Sequence, residues 1–238
     1  MTSGELLYEG KGKRIYSTPR DDEVIMFYKD EATAFDGLKK GIIKDKGIAN
    51  NRISTLLYTL LERHGIPTHL VKTLDERRVV VKKLEMIPVE VVVRNRIAGG
   101  LAKRLGRPEG EILPSPVIEL YYKNDELHDP MISESLAVAM GWATEAQLRE
   151  MQSIALKINR VLQGFFDSID IILVDFKLEF GLYQGKLTLG DEITPDGCRL
   201  WDKSSLEKID KDRFRRDLGG EEQTYQEVLR RIEAGLSD

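Results

Sequence analysis

The segment Ile171-Ile-Leu-Val-Asp-Phe-Lys-Leu-Glu-Phe-Gly181 begins with aliphatic residues and then carries a charged residue at every second position. In a β-strand, alternate side chains lie on the same face, so this pattern predicts a strand with one apolar face and one charged face. The charged face presents Asp175, Lys177 and Glu179 in a row. Such a row is either a solvated outer surface or a functional site.

The residues that follow predict a hairpin, which brings a further carboxylate to this strand. Tyr183-Gln-Gly-Lys186 has the composition of a turn, and Leu187-Thr-Leu-Gly-Asp-Glu-Ile193 that of a second strand. With a three-residue loop, the register places Glu179 opposite Asp191. Carboxylates directly opposite each other destabilise a sheet unless a cation lies between them, and hard oxygen ligands suit Mg²⁺. This register therefore predicts a magnesium site at Glu179 and Asp191.

Two other interpretations of the hairpin stay open. A two-residue loop would place the two carboxylates on opposite faces, unless a bulge at Gly181 or Gly190 restored the register. A solvated hairpin face also explains the spacing. Lys177 favours a site, because a lysine beside a metal and a carboxylate is a common way to neutralise phosphate.

A glycine-rich turn near the N-terminus is the second candidate site. Glu9-Gly-Lys-Gly-Lys13 lies between two short predicted strands at residues 6–8 and 14–16. Its backbone amides and ammonium groups could bind phosphate, although a charged hairpin turn explains the same residues. No Gly-Lys-Ser/Thr opens a helix here, so the turn is not a P-loop. Together with a carboxylate pair that binds metal, the turn predicts an ATP cleft between two lobes.

The chain before residue 65 predicts strands, a loop and a helix. A third strand is expected at residues 23–28. The polar segment 30–46 predicts an exposed loop, with turn residues at Ala34-Phe-Asp-Gly37, and such loops often carry function. Residues 48–64 have the apolar spacing of a helix with one buried face.

A boundary between two lobes is predicted near Pro88, because proline lacks a backbone donor and marks a change of element. The predicted lobes are a β-rich nucleotide-binding lobe at residues 1–85 and a larger α+β lobe at residues 86–238. In the second lobe, Thr144-Glu-Ala-Gln147 has the form of a capping box and precedes a long amphipathic pattern. It therefore predicts one long helix before the charged strand.

The composition excludes several classes of protein. The chain has 238 residues, of which 41% are apolar and 32% charged, as is typical of a soluble globular protein. A net charge of −4 gives no general attraction to nucleic acid or to anionic membranes. Cys198 is the single cysteine, no apolar run approaches a membrane span, and the start of the sequence lacks a signal-peptide pattern. We therefore expect a cytoplasmic protein without membrane or nucleic-acid partners.

Several segments of the sequence resemble the SAICAR synthetase family, in order and at the family's spacing over nearly the whole chain. The two segments that resemble the family signatures are Pro88-Val-Glu-Val-Val-Val-Arg-Asn-Arg96 and Leu173-Val-Asp-Phe-Lys-Leu-Glu-Phe-Gly181. The other matching segments are Tyr8-Glu-Gly-Lys-Gly-Lys13, Lys123-Asn-Asp-Glu-Leu-His-Asp-Pro-Met131, Gly190-Asp-Glu-Ile-Thr-Pro-Asp196, Arg199-Leu-Trp-Asp202 and Asp210-Lys-Asp-Arg-Phe-Arg215.

This resemblance implies a fold and a reaction. The fold is a two-lobed α+β structure, similar in outline to kinases and ATP-grasp enzymes, with metal and ribotide sites in the C-terminal lobe. The reaction is an ATP-dependent ligation of purine biosynthesis, which joins the carboxylate of carboxyaminoimidazole ribotide (CAIR) to L-aspartate and gives SAICAR, ADP and phosphate. ATP, CAIR and L-aspartate are the implied small-molecule partners, Mg²⁺ the implied cofactor, and a homo-oligomer, with a dimer favoured, the implied assembly.

The resemblance also implies roles for individual residues. The implied ATP-binding residues are Gly10, Lys11, Gly12, Lys13, Lys82, Leu84, Met86, Glu179 and Asp191. Glu179 and Asp191 are also the implied Mg²⁺ ligands. The implied substrate-binding residues are Arg94, Gly100, Lys123 and Arg199. The implied catalytic residues are Asp36, Asp175 and Lys177, with Asp36 in a mobile segment beside the acceptor site.

The sequence departs from the family pattern at two positions. Gly100 stands where many members carry a serine thought to contact the ribotide, and Cys198 stands where serine is common. A hydroxyl contact is impossible at Gly100, although a backbone amide could replace it. Neither departure touches the implied metal or ATP residues.

Two other functions explain parts of the sequence. A phosphotransferase of the kinase type would use the same cleft, but the sequence has no His-Arg-Asp loop, and Asp175-Phe-Lys177 has lysine where kinases have glycine. A non-catalytic RNA-binding module could be built on the basic segment 94–104, although the acidic balance of the chain disfavours it.

Overall fold

The computed structural model describes residues 4–34 and 38–237. Its helices are α1 Lys46–Arg63, α2 Gly99–Leu105, α3 Glu134–Ala139, α4 Glu145–Ser168, α5 Asp212–Arg215 and α6 Glu221–Ser237. Its strands are β1 Leu6–Glu9, β2 Lys13–Ser17, β3 Glu23–Tyr28, β4 Glu31–Ala34, β5 Lys39–Ile42, β6 Leu70–Thr73, β7 Arg78–Lys82, β8 Glu85–Arg96, β9 Ile112–Tyr122, β10 Met131–Ile132, β11 Ile171–Tyr183, β12 Lys186–Gly190 and β13 Cys198–Asp202. These strands pair in antiparallel fashion, so the predicted α+β class is confirmed.

The N-terminal sheet has the strand order β1-β2-β3-β7-β6. It contains the three strands predicted from the first thirty residues. Alternate apolar side chains of its central strands, together with Tyr28, form a small core: Val24, Met26, Tyr28, Val79 and Val81. Between β1 and β2, the Gly10 N–H donates to the Lys13 carbonyl at 2.9 Å and closes the tight turn predicted there. The glycine-rich turn is thus held between two paired strands.

The second sheet has the strand order β10-β9-β8-β11-β12, and β13 pairs with the same edge of β11 as β12. The predicted alternation along β11 is confirmed, because Phe176, Leu178 and Phe180 are at most 1% exposed. Helix α4 packs on this apolar face and begins at the predicted capping box, in which Thr144 and Gln147 exchange side-chain and backbone hydrogen bonds. Buried side chains of α1 and α6 belong to the same core.

The segment 30–46 is not a loop, contrary to the prediction. It contains the β4–β5 hairpin, in which Glu31 pairs with Ile42 and Ala34 with Lys39. Ala32 and Ala34 are buried, so this short hairpin has one face against the protein. Residues 35–37 lie outside the described residues, and with them the predicted catalytic residue Asp36.

Pro88 does not end an element, because β8 continues through it from Glu85 to Arg96. The register explains how the strand tolerates proline. Glu90 pairs with Glu179 and Met86 with Gly181, so β8 has two extra residues against β11 at this point. A proline is accommodated at such a bulge, where no ladder hydrogen bond needs its missing donor.

The β11–β12 hairpin has a two-residue loop, so the predicted three-residue loop is wrong. Tyr183 pairs with Lys186, and the loop residues Gln184 and Gly185 both have positive φ, at 51° and 76°. These values are those of a type I′ turn, whose twist matches that of the flanking strands. As a result, Glu179 lies opposite Gly190, and Asp191 follows the end of β12.

Candidate active site

Two adjoining cavities lie along the charged face of β11. The larger, of about 740 Å³, extends to the glycine-rich turn and the N-terminal sheet, and the smaller, of about 260 Å³, lies over β8, β11 and β13. Lys177 lines both cavities. The charged row that the sequence predicts therefore faces a cleft and not a plain outer surface.

The residues predicted to bind ATP line the larger cavity together. These residues are Gly10, Lys11, Gly12, Lys13, Lys82, Leu84, Met86, Glu179 and Asp191. Lys123, predicted to bind substrate, also lines it, 3.9 Å from Glu179. The smaller cavity is lined by the predicted residues Arg94, Asp175 and Arg199.

Lys177 is at the centre of a cluster of carboxylates. Its Nζ lies 2.9 Å from Glu179 Oε1, 3.1 Å from Glu90 Oε2 and 3.5 Å from Asp191 Oδ2. Burial opposes the ammonium charge, but the three carboxylates outweigh burial and hold the pKa of Lys177 well above its ordinary value. The ammonium is therefore charged at neutral pH.

The carboxylate directly opposite Glu179 in the sheet belongs to Glu90, and not to Asp191 as the sequence predicted. Like charges face each other across β8 and β11, and Lys177 is the cation that joins them. Asp191 reaches the same lysine by another route, because its left-handed backbone, with φ of 57°, turns the chain after β12. No bulge at Gly181 or Gly190 of the hairpin ladder is needed.

Asp191 and Glu179 differ in their electrostatic surroundings. Burial and the neighbouring Asp191 carboxylate raise the pKa of Glu179. Burial acts in the same direction on Asp191, but contacts with Lys13 and Lys177 outweigh it and hold the pKa of Asp191 well below its ordinary value. Lys13 also lies 3.0 Å from Glu192. Two lysines from different sheets thus converge on one acidic segment.

The donor set of this cluster fits Mg²⁺ bound together with a nucleotide. Glu179 and Asp191 contact the same ammonium, and both offer hard oxygen ligands. Among residues 4–34 and 38–237, no three His, Cys, Asp or Glu side chains form a group that could hold a metal alone. Mg²⁺ usually binds through one or two carboxylates, with water and substrate phosphates as its other ligands. The residues therefore suit magnesium shared with phosphate.

The glycine-rich turn borders the cleft without blocking it. A Cβ at Gly12 would have Lys46 Nζ, 3.9 Å away, as its only neighbour within 4 Å among the described atoms. Lys11 extends to Asp125 at 3.1 Å, on the opposite wall of the larger cavity. The turn thus leaves space above its backbone while its lysines reach across the cleft.

The far end of the larger cavity is apolar. Its apolar lining residues are Leu7, Ile15, Val24, Met26, Val81, Leu84 and Met86. Lys82 points its ammonium to the Thr68 carbonyl at 2.8 Å and over the Tyr183 ring. This end therefore suits a flat apolar group such as a purine base.

The smaller cavity holds a buried arginine, Arg94, and a half-buried one, Arg199, on one carboxylate. Asp175 Oδ2 accepts from Arg94 Nη1 at 2.6 Å and from Arg199 Nη1 at 2.9 Å. Arg94 also contacts Glu119, and Arg199 contacts Asp212. Burial opposes both guanidinium charges, but these carboxylates outweigh it and raise the pKa of each arginine. The result is a fixed fork of donors suited to phosphate or carboxylate.

The glycine that matters to this fork is Gly99, which the sequence patterns did not single out. Its φ is 53°, and an added Cβ would collide with the Arg199 guanidinium. Gly100 lines neither cavity, and a Cβ added there would lie 3.4 Å from Arg104 Nη1. Cys198 is buried, and burial raises the pKa of its thiol, which is therefore neutral.

Several charged residues that line one or both cavities were not among the predicted site residues, and they include Glu90, Asp129, Asp196, Lys211 and Arg215. Glu90 could have been predicted, because it lies four residues before Arg94 on β8 and their side chains therefore share one face of the strand. Lys211 and Arg215 are four residues apart, a spacing that places side chains on one side of a helical turn. For Asp129 and Asp196, no local pattern distinguishes them from other loop carboxylates.

Comparisons with known proteins agree with this geometry. The SAICAR synthetase family profile matches residues 6–232. The phosphoribosylaminoimidazole-succinocarboxamide synthase of Desulfitobacterium hafniense (strain Y51) is 58% identical over 238 residues, which cover 100% of both chains. The crystal structure of this enzyme from Ehrlichia chaffeensis has a TM-score of 0.95 and 47% identity, over 97% of this chain and 99% of that chain. A SAICAR synthetase in complex with ADP has a TM-score of 0.92 and 49% identity, over 96% and 97% of the two chains.

Proposed function

Because the chain belongs to the SAICAR synthetase family, we propose that its cleft joins the carboxylate of CAIR to L-aspartate at the expense of ATP, giving SAICAR, ADP and phosphate. The observation that carries this proposal is the position of Lys177, which lines both cavities and contacts three carboxylates. A nucleotide in the larger cavity and a ribotide in the smaller would meet at this lysine. The relative solved with ADP supports nucleotide use.

The larger cavity is the proposed ATP site. The apolar end takes the base, and the glycine-rich turn, Lys13 and Lys177 take the phosphates. Glu179 and Asp191 would hold Mg²⁺, which supplies positive charge to the phosphate oxygens when bound. Lys13 and Lys177 already carry positive charge in the described structure, and they neutralise phosphoryl oxygens as charge spreads over them.

The smaller cavity is the proposed ribotide site. Arg94 and Arg199 bind the ribotide phosphate or carboxylate, and Asp175 orients both guanidinium groups. Lys123 and the backbone at Gly100 stay proposed substrate contacts. Asp36 stays a proposed catalytic residue, although it lies outside the described residues.

The chemistry needs an activated carboxylate, because an oxide ion is a poor leaving group. The CAIR carboxylate attacks the γ-phosphorus of ATP, which forms an acyl phosphate and releases ADP. The amine of L-aspartate then attacks the acyl carbon, the C–N bond forms, and phosphate leaves as the amine loses a proton. A cleft that excludes water protects the acyl phosphate from hydrolysis.

Lys211 and Arg215 are the proposed partners of the aspartate carboxylates. Lys211 Nζ lies 4.0 Å from Asp196, whose carboxylate is already bound by Lys46 at 2.6 Å and by the Tyr225 hydroxyl. Burial lowers the pKa of Lys211, and Asp196 offsets this only in part. An anionic ligand would therefore be stabilised beside Lys211 and Arg215, and aspartate brings two carboxylates.

An assay with each substrate omitted in turn tests the reaction. We expect phosphate release only with ATP, Mg²⁺, CAIR and L-aspartate together, and ¹⁸O from the CAIR carboxylate in the released phosphate. Phosphate release without aspartate, or without amide product, would contradict the ligase and favour a phosphotransferase. Glu179→Gln and Asp191→Asn should each abolish Mg²⁺-dependent turnover and keep the thermal unfolding transition; wild-type turnover in both would remove the metal proposal.

Three broader expectations remain part of the proposal. They are the division into lobes at residues 85 and 86, a cytoplasmic location, and a homo-oligomer with a dimer favoured. In the described part of the chain, no helix is both long and apolar enough to cross a membrane. Light scattering on the purified chain would measure the oligomeric state.

A further inference from the structure

The backbone conformation of Asp191 must be stabilised by its surroundings, because this conformation places the Asp191 carboxylate beside Lys13 and Lys177. Its φ of 57° lies in the left-handed region, which a non-glycine residue adopts at a cost. Such a conformation persists only when its surroundings determine it. The supporting contacts come from outside the hairpin that bears Asp191.

Tyr58 supplies the first of these contacts. It lies on α1, is 2% exposed, and donates its hydroxyl hydrogen to the Gly190 carbonyl. The Gly190 carbonyl belongs to the peptide that enters Asp191. This buried hydrogen bond therefore fixes the peptide plane from which the left-handed residue departs.

His69 supplies the second contact. It is 4% exposed, and its ring lies edge-on to the Tyr58 ring, with centroids 5.4 Å apart. Burial lowers the pKa of His69 to about 3, so the ring is neutral. The ring thus packs against the Tyr58 side chain that holds the Gly190 carbonyl.

The backbone of His69 connects the two ends of the cleft. Its N–H donates to the Leu189 carbonyl at 2.9 Å, and its carbonyl accepts from the Lys82 N–H at 2.7 Å. Lys82 borders the apolar end of the larger cavity, and Leu189 immediately precedes the Gly190–Asp191 turn. His69 therefore lies between the base-binding strand and the metal-binding turn.

We infer that Tyr58 and His69 are positioning residues, which hold Asp191 in its left-handed conformation and so keep its carboxylate available to Mg²⁺ and ATP. This inference rests on the proposed metal site. Neither residue needs to touch the metal, because Tyr58 bonds to the peptide that enters Asp191 and His69 packs against Tyr58. Groups that orient a metal ligand commonly contribute about 10- to 100-fold to metal affinity.

The test measures ADP binding by calorimetry, with Mg²⁺ and with a chelator, in wild-type protein and in Tyr58→Phe. The variant keeps the ring and loses only the hydroxyl. We expect unchanged ADP binding in chelator and a loss of about 10-fold or more in the tightening that Mg²⁺ produces. Tyr183→Phe is the matched control, because it loses a hydroxyl bond to Asp22 at the other end of the same hairpin. It should keep the wild-type response to Mg²⁺.

His69 variants test the contact between the two rings. His69→Phe keeps an aromatic ring beside Tyr58, whereas His69→Ala removes the ring. We expect the Mg²⁺ response to fall in His69→Ala and to be kept in His69→Phe. If His69→Ala fails to fold, Tyr58→Phe alone decides.

The outcomes distinguish the inference from the proposed function. Wild-type tightening retained in Tyr58→Phe and His69→Ala would overturn the positioning role and leave the metal site intact. An equal loss of ADP affinity with and without Mg²⁺ would also overturn it, since that pattern reports general distortion. If wild-type ADP binding does not respond to Mg²⁺, the metal site itself fails, and the inference fails with it.

Discussion

Asp175→Asn is the most informative single change, because it alters charge without altering shape at the centre of the smaller cavity. The Asp175 side chain is 4% exposed and accepts from Arg94 at 2.6 Å and from Arg199 at 2.9 Å and 3.1 Å. An asparagine keeps one oxygen but turns an amide N–H₂ toward a guanidinium group. Arg94, which is buried, and Arg199, which is half-buried, then lose the carboxylate that they share.

The expected loss of stability follows from these contacts. Removing one partner of a buried ion pair usually costs about 3–5 kcal/mol. Arg94 keeps Glu119 and Arg199 keeps Asp212, so we expect the lower end, about 3 kcal/mol. For a chain of this length, that corresponds to a fall in Tm of about 6–12 °C.

The same variant makes a prediction about the substrates. Asp175 lines only the smaller cavity, so the KM for CAIR should rise while the KM for ATP stays near the wild-type value. Differential scanning fluorimetry and steady-state kinetics measure the two effects. Asp202→Asn is the matched control, since Asp202 pairs with Ile171 on the neighbouring strand, contacts Arg231 and lines neither cavity. It should leave both KM values unchanged.

Two results would refute this reasoning. An unchanged Tm would mean that the buried cluster does not depend on the Asp175 charge. A rise in KM that is equal for ATP and CAIR would mean that the two cavities do not separate the two substrates.

Three further predictions concern residues in or near the cleft. Gly99→Ala should destabilise the protein by about 1–3 kcal/mol, and by more than Gly106→Ala. Both positions have positive φ, but only at Gly99 would an added Cβ collide with the Arg199 guanidinium. Equal urea midpoints for the two variants would contradict this. Lys211→Met should raise the KM for L-aspartate about 10- to 100-fold, the effect of one hydrogen bond to a charged group, with the KM for ATP unchanged; an equal effect on both would exclude an aspartate subsite. Burial and Asp212 raise the pKa of Asp210 from 3.8 to about 7, so the native state holds a proton that the unfolded chain releases. The contribution of Asp210 to stability is therefore complete below 3.8 and lost as the pH rises through 7. Urea titrations should show a steeper fall over that range in wild type than in Asp210→Asn, and parallel profiles would contradict it.

The local features of the fold could be predicted from the sequence. The period of two in β11 determined which side chains share a face, because it depends only on the strand geometry of neighbouring residues. Thr144 and Gln147 predicted the start of α4 for the same reason, since a capping box is complete within four residues. The glycine-rich turn was also correctly located between paired strands.

Features that depend on distant partners could not be predicted in this way. A loop shorter by one residue changed the partner of Glu179 from Asp191 to Gly190. The carboxylate that faces Glu179 comes from Glu90 on β8, and nothing near β11 in the sequence identifies β8 as its other neighbour. The conformation of Asp191 depends on contacts from Tyr58, which lies on α1.

Prolines and short strands limit the prediction for a related reason. Pro88 was expected to end an element, but a bulge in β8 accommodates it. The β4–β5 hairpin has only four residues in each strand, too few for a clear pattern of alternation. In both cases the pairing partner, and not the local sequence, decides the structure.

The continuity of β8 through Pro88 has a consequence for how the two reactants are spaced. Met86 borders the proposed base-binding end, Glu90 contacts Lys177, and Arg94 lines the smaller cavity, all on one strand. Four residues of a strand span about 13 Å, so the backbone rise sets the distance between the reacting centre and the arginine fork. Because one continuous strand carries both sites, movement elsewhere in the protein cannot stretch the interval between them. A two-residue deletion between Glu90 and Arg94 keeps both side chains on one face and shortens the interval by about 7 Å. It should therefore uncouple phosphoryl transfer from ribotide binding, even in a protein that still binds each substrate alone.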